Sequence, residues 1–185
     1  MKVLVLNGSP HPKGNTYNAI MVLAKELEKA GIEIEIITVG NKLVHGCIGC
    51  GRCAQEHNGT CPTFTSDIVN EIMPKLKEAD GLVLATPTHY SGATGVITTL
   101  LDRLLFVNGA NGNYLRHKVG VAISVVRRSG GIQAVDALNK YLEYSEMVIP
   151  TSSYWNVGYG LTPGQFNQDI EGNQIMRVLG KNMAW

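Results

Sequence analysis

Four cysteines lie close enough in the chain to share one ligand: Cys47, Cys50, Cys53 and Cys61, a C-x2-C-x2-C-x7-C run followed by Pro62. Three thiols at every third position wrap the backbone round one centre, and a remoter fourth closes the shell. That pattern suits a [4Fe–4S] cubane with four thiolate ligands. Gly46, Gly49 and Gly51 permit the tight turns and N–H···S contacts such a site needs. Zinc is the alternative metal, although structural zinc usually draws on two separated C-x2-C pairs. Disulfides do not suit a cytoplasmic chain of this size.

A second candidate is Gly8-Ser9-Pro10-His11-Pro12-Lys13-Gly14-Asn15-Thr16, which runs from an apolar segment straight into a helical one. A helix start offers free N–H groups and partial positive charge, so an anion sits well there. Ser9, Asn15 and Thr16 add side-chain donors. The segment is neither GxxxxGK[ST] nor GxGxxG, so nucleotide triphosphatase and Rossmann dinucleotide readings are disfavoured. A monophosphate remains, and FMN is the usual cargo of a strand order reversing at this point. The plain alternative is a glycine turn and a helix cap with no ligand.

Two further loops resemble the first in position. Thr86-Pro87-Thr88-His89-Tyr90-Ser91-Gly92-Ala93-Thr94-Gly95 offers backbone N–H groups and an aromatic flank for the polar edge of a flat ring. Ser124-Val125-Val126-Arg127-Arg128-Ser129-Gly130-Gly131 places arginines where charge would develop on a reduced flavin. Each arginine and His89 also reads plainly as a solvated surface group.

These loops need a scaffold. Apolar runs at Lys2–Leu6, Gly81–Ala85 and Lys118–Ser124 read as buried strands, and Glu33–Val39 alternates charged and apolar residues like a sheet edge. Glu146–Ile149 is the expected fifth strand. Between them lie helical patterns at Asn15–Ala30, Asp67–Ala79 (which Pro74 should kink or split), Gly95–Val107 and Ile132–Tyr144, with a last helix from about Gly172. In Ile132–Tyr144 the inward set is Ile132, Val135, Leu138 and Leu142. Alternating strands and helices imply right-handed crossovers. The expected fold is α/β: a flavodoxin-like three-layer sandwich, a five-stranded parallel sheet of order 2-1-3-4-5 with helices on both faces. One domain, residues 1–185, accounts for the chain, with a cysteine-bearing insertion at 40–66 too long for an ordinary connection.

Composition narrows the function. The 185 residues are 44% hydrophobic and 17% charged, enough to build a core without staples. Sixteen basic and fifteen acidic residues leave a net charge of +1, which gives no reason to expect nucleic acid. No apolar run approaches the ~18 residues of a membrane span, and the first residues do not read as a signal peptide. A cytoplasmic location is the expectation.

Taken together, GSPHPKGNT, PTHYSGATG and the Arg-Ser-Gly-Gly loop resemble the NADPH-dependent FMN reductase group of flavodoxin-like proteins. The cysteine motif, with Tyr154-Trp155-Asn156 and the closing segment to Trp185, is similar to the iron–sulfur flavoprotein branch. The resemblance covers the whole chain. It implies FMN phosphate at Ser9, Asn15 and Thr16, ring contacts at Pro87, Thr88, His89, Tyr90, Ser91 and Gly92, further cofactor contacts at His11, Ser124 and Arg128, and a cluster on Cys47, Cys50, Cys53 and Cys61. His11 and Lys13 depart from the arginine or small residue usual in the first loop.

Two electron routes follow. NAD(P)H gives a hydride to the flavin, which reduces a quinone or free flavin; or a ferredoxin-type donor feeds single electrons through the cluster. Neither needs a side-chain acid or base, so no catalytic residue is singled out. A zinc-stabilised binding module without turnover is the alternative function. Members of the branch assemble as homodimers or homotetramers, and Thr151–Asn167, with Tyr154, Trp155 and Tyr159, reads either as such a contact or, equally, as a loop covering the core.

Overall fold

The computed structural model describes Met1–Trp185. The strands are β1 (Lys2–Asn7), β2 (Glu33–Thr38), β3 (Gly81–Pro87), β4 (Val119–Val126) and β5 (Val157–Tyr159). The helices are α1 (Asn15–Lys29), α2 (Arg52–Glu56), α3 (Val69–Glu78), α4 (Gly95–Ala110), α5 (Gly131–Tyr144) and α6 (Ile170–Ala184). A short 3₁₀ turn covers Gln165–Gln168. All strands pair in parallel, in the order β2-β1-β3-β4-β5, as the alternation of elements predicts.

The sheet is buried on both faces, and its side-chain alternation sorts residues between two cores. Val3, Val5, Val83, Ala85, Val121 and Ile123 face α1 and α6, meeting Ile20, Leu23, Met176 and Leu179. Leu4, Leu6, Leu82, Leu84 and Ala122 face α3, α4 and α5. The two end helices approach so closely that a Cβ at Gly180 would stand 2.6 Å from the Leu23 carbonyl. β2 is the exposed edge, with Glu33 on the surface, as its charged pattern predicts.

The fifth strand lies elsewhere than expected. Residues 146–149 contribute one bridge, Val148 to Val119. Glu146 is left-handed at φ 57°, and Pro150 has no N–H with which to continue the ladder. The chain leaves the sheet there and returns at Val157, pairing with Ser124–Val126. α3 runs unbroken through Pro74. Ile132, expected inward, is 44% exposed, whereas Val135, Leu138 and Leu142 are buried; Ile132 stands in the first turn of α5, beyond the edge of the sheet core.

Candidate functional site

The carboxyl ends of β1, β3 and β4 share one rim, and a cleft of about 230 Å³ opens along it. Ser9, His11, Asn15, Thr16, Pro87, Thr88 and His89 line it, joined by Arg127 and Gly160. At one end, α1 begins behind Gly14 with no side-chain cap. No protein group accepts from the N–H groups of Asn15, Thr16 and Tyr17, although Thr16 is buried. These uncompensated donors, together with the partial positive charge of the helix start, call for an anion.

The loop bearing these donors is held from behind. The Ser9 N–H donates to Asn7 Oδ1 (3.0 Å) and the His11 N–H to Ser9 Oγ (3.2 Å). Thr94 Oγ1 donates to the Gly8 carbonyl at 3.0 Å, while the Thr94 N–H donates to Thr86 Oγ1 at 3.1 Å. Gly40 packs so tightly that a Cβ would fall 2.3 Å from the Gly8 oxygen. The Asn15 side chain is already engaged: its Nδ2 donates to the Thr162 carbonyl (2.8 Å), and its Oδ1 accepts from the Phe166 N–H (3.1 Å). It anchors the Thr162–Phe166 segment beside the cleft and leaves the Asn15 backbone N–H without a protein acceptor.

The remaining sequence candidates divide. Ser124 is buried behind the cleft, its hydroxyl 3.1 Å from that of Thr88. His89 and Gly92 close a tight turn through reciprocal backbone hydrogen bonds. Tyr90 projects from that turn into solvent at φ 51°. Ser91 and Gly92 share the turn, outside the cleft lining. Arg128 lines a neighbouring cavity of about 350 Å³ with Gly130, Trp155 and Tyr159. Arg127 is the arginine on the cleft.

The four cysteines converge. Cys47, Cys50, Cys53 and Cys61 all border one apolar cavity with Ile48, Phe64, Phe106 and Val107. They form no compact ligand set for a single ion; tetrahedral zinc at Zn–S ≈ 2.3 Å would bring its sulfurs to about 3.8 Å of each other. The space between them is about 20 Å³, room for about one water. Cys53 and Cys61 form the buried floor, and Cys47 and Cys50 the exposed rim. A larger group would therefore enter by outward movement of the rim turn, where Gly49 and Gly51 have φ of 66° and 70°.

The floor is tied down. The Cys61 N–H donates to Asn70 Oδ1 (2.7 Å), and Asn70 Nδ2 returns a bond to the Cys61 carbonyl (3.0 Å). Asn111 Nδ2 donates to the Cys53 carbonyl at 3.3 Å. Burial pushes the Cys53 thiol up. A hydrogen bond with the Thr63 hydroxyl, helped by the Arg52 backbone N–H, draws the Cys50 thiol down.

One helix connects the two places. Thr94, just before α4, braces the phosphate-type loop. Later on α4, Arg103, Phe106 and Val107 wall the cysteine cavity, roughly 14–20 Å from Thr94 along the axis at 1.5 Å per residue. Arg103 was not anticipated from the sequence, although a charge flanked by Leu100, Leu101, Leu104 and Leu105 is the signal that marks it.

A doubly wound sheet with its cleft at the β1 switch point defines a flavodoxin-like fold. RosB, crystallised with bound 8-demethyl-8-formylriboflavin-5'-phosphate, superposes with a TM-score of 0.78 at 20% identity, over 100% of this chain and 77% of that one. A flavodoxin from the domain Archaea gives 0.62 at 16%, over 100% and 96%. Residues 1–162 match the NADPH-dependent FMN reductase family. An iron–sulfur flavoprotein of Methanocaldococcus jannaschii is 37% identical over 100% of this chain and 96% of its own length. Another, from Archaeoglobus fulgidus, is 34% identical over 90% and 78%. The chain belongs to the NADPH-dependent FMN reductase family, in its iron–sulfur flavoprotein branch. No helix is long and apolar enough to cross a membrane.

Proposed function

We propose that this protein is a redox flavoprotein that binds FMN in the rim cleft and a [4Fe–4S] cluster on Cys47, Cys50, Cys53 and Cys61. The observation that carries the reading is the run of uncompensated N–H groups at the start of α1, in a cleft whose far wall is the Thr88–His89 loop. The N–H groups of Asn15 and Thr16 and the Ser9 hydroxyl would take the phosphate. Pro87, Thr88 and His89 would flank the ring edge, and Arg127 would supply positive charge beside it. When bound, FMN accepts a hydride or single electrons and the cluster passes single electrons. The chain's own task is to orient the ring, offer charge and hold the thiolates.

The family speaks for NAD(P)H as donor and the cysteines for a ferredoxin-type donor. A quinone, free flavin or similar small molecule is the proposed acceptor. The C-x2-C-x2-C-x7-C spacing, rather than two separated C-x2-C pairs, favours a cluster over zinc. The distance along α4 between the two places is the reason to propose a homodimer or homotetramer, in which a second copy brings a flavin near the cysteine rim. Exposed Tyr154, Trp155 and Tyr159 are the proposed contact.

Titration of the purified protein with FMN, followed by quenching of flavin fluorescence, tests the first half. Saturation at one flavin per chain supports it, and unquenched flavin in excess overturns it. Anaerobic incubation with iron and sulfide tests the second. Bound iron and inorganic sulfide at about four each per chain support the cluster, whereas retained zinc without them overturns it. A native mass equal to a single chain removes the assembly.

A further inference from the structure

Arg103 is 1% exposed and sits deep on α4 among leucines. Its Nη2 pairs with the Asp67 carboxylate, itself buried. Its Cζ lies 5.4 Å from the centre of the Phe64 ring. Asp67 is committed to the same structure, since its other oxygen accepts the His45 N–H at 3.0 Å. Yet Arg103 Nε and Nη1 are buried with no hydrogen-bond partner, and the residue lines the cavity shared by the four cysteines. A buried guanidinium with two N–H groups unmet is costly unless an acceptor completes it. The wall of that cavity carries four thiols, beside the Thr63 hydroxyl, as its side-chain acceptors.

We propose that Arg103 is the built-in counter-charge for an anionic thiolate-bound group in the cysteine cavity, setting its reduction potential, with Asp67 holding the guanidinium in place and partly offsetting it. The proposal rests on the cluster reading above. A cubane with four thiolates carries net negative charge, and hydrogen bonds and nearby charge set its potential. Reduction adds one electron from a one-electron donor, with no bond made or broken. Arg103 stays protonated throughout, as guanidinium does in proteins. A fixed cation stabilises the more negative, reduced form and raises the potential. Asp67, paired with the guanidinium but outside the cavity lining, opposes it, so the two residues pull in opposite directions.

That opposition is the test. Wild type, Arg103→Gln, Asp67→Asn and the double variant are reconstituted anaerobically with iron and sulfide. Iron and sulfide are counted, folding is checked by circular dichroism, and the midpoint potential is read by electron paramagnetic resonance during a mediated dithionite titration. R103Q is expected to lower the ratio of reduced to oxidised cluster at fixed potential by about tenfold, which is about 59 mV for one electron. D67N is expected to move it the opposite way, and the double variant to fall between. Should R103Q not fold, because it strands Asp67, the upward shift in D67N and the smaller shift of the charge-free double variant still decide the matter. A purely structural role makes every variant less stable and leaves the ratio of reduced to oxidised cluster at fixed potential within threefold of wild type, and that result overturns the proposal. So do shifts of the same sign in R103Q and D67N. Wild type that takes up no iron and sulfide overturns the cluster reading itself, and the proposal falls with it by a separately recognisable failure.

Discussion

Gly40→Ala is a sharp probe of the phosphate-type loop. Gly40 is not itself in the cleft lining but packs against the backbone of Gly8 and Ser9, so its effect reaches the cleft through that backbone. An added Cβ would meet the Gly8 oxygen and the Ser9 carbonyl carbon at 2.3 Å, and the Ser9 oxygen at 2.4 Å. The shortfall is about 1 Å against the 3.4 Å at which ordinary contact begins. Neither side yields freely. Val39 and Gly40 are both tethered to the Asn7 carbonyl, at 2.8 and 3.3 Å, and Thr94 holds the Gly8 carbonyl. Overpacking of this kind costs about 1–3 kcal/mol of stability. If the loop takes up the shift, two charge-assisted donors move from about 2.9 Å to beyond bonding range. Their loss is worth about 3–6 kcal/mol of FMN affinity, roughly a hundredfold to ten-thousandfold in Kd. Flavin fluorescence quenching reads the affinity, and thermal unfolding reads the stability. Gly109→Ala, where nothing lies within 4 Å of the new Cβ, is the control and should leave binding unchanged. G40A protein that binds FMN within threefold of wild type and melts at the same temperature would refute the reasoning.

Thr94→Val keeps the shape but leaves the buried Gly8 carbonyl unpartnered, and should cost about 1–3 kcal/mol in urea unfolding while weakening FMN binding. Asn15→Ala should release the segment from Thr162 to Phe166, seen as faster amide hydrogen exchange there with α1 still protected. Cys53→Ser and Cys61→Ser, on the buried floor, should abolish iron retention while leaving FMN binding intact, measured as iron and flavin per chain. Hydrogen bonds from Lys2 and Lys75 hold the Glu35 carboxyl below its ordinary range. A depressed folded-state pKa gives stability that is complete above the unfolded value and lost as pH falls through the folded one. Glu35→Gln should therefore lower stability near neutrality and reduce its fall on acidification, as read by urea unfolding at several pH values.

Much of this architecture is written in local pattern. The buried strands announce themselves as β-branched and leucine runs, the edge strand by its charge alternation, and the cysteine site by spacing alone. Other features depend on contacts that no local pattern carries. The fifth strand pairs through three residues, Val157–Tyr159, because Pro150 stops the earlier candidate after one bridge. Asn15 looks like a phosphate donor in sequence, but its side chain reaches residues more than 140 positions away. Arg127 and Arg128 are adjacent, and only the direction of the chain leaving β4 decides which one meets the cleft. Arg103 looks like an interruption in an apolar helix until Asp67, Phe64 and the cysteines are seen around it.

The most direct single measurement is the content of protein prepared and reconstituted without oxygen, then freed of unbound reagents. Flavin, iron, sulfide and zinc are counted per chain. Equimolar FMN with about four iron and four sulfide is the expected result. A colourless chain that releases no flavin on heating, after exposure to FMN in excess, would contradict the assignment of the rim cleft and with it the redox role.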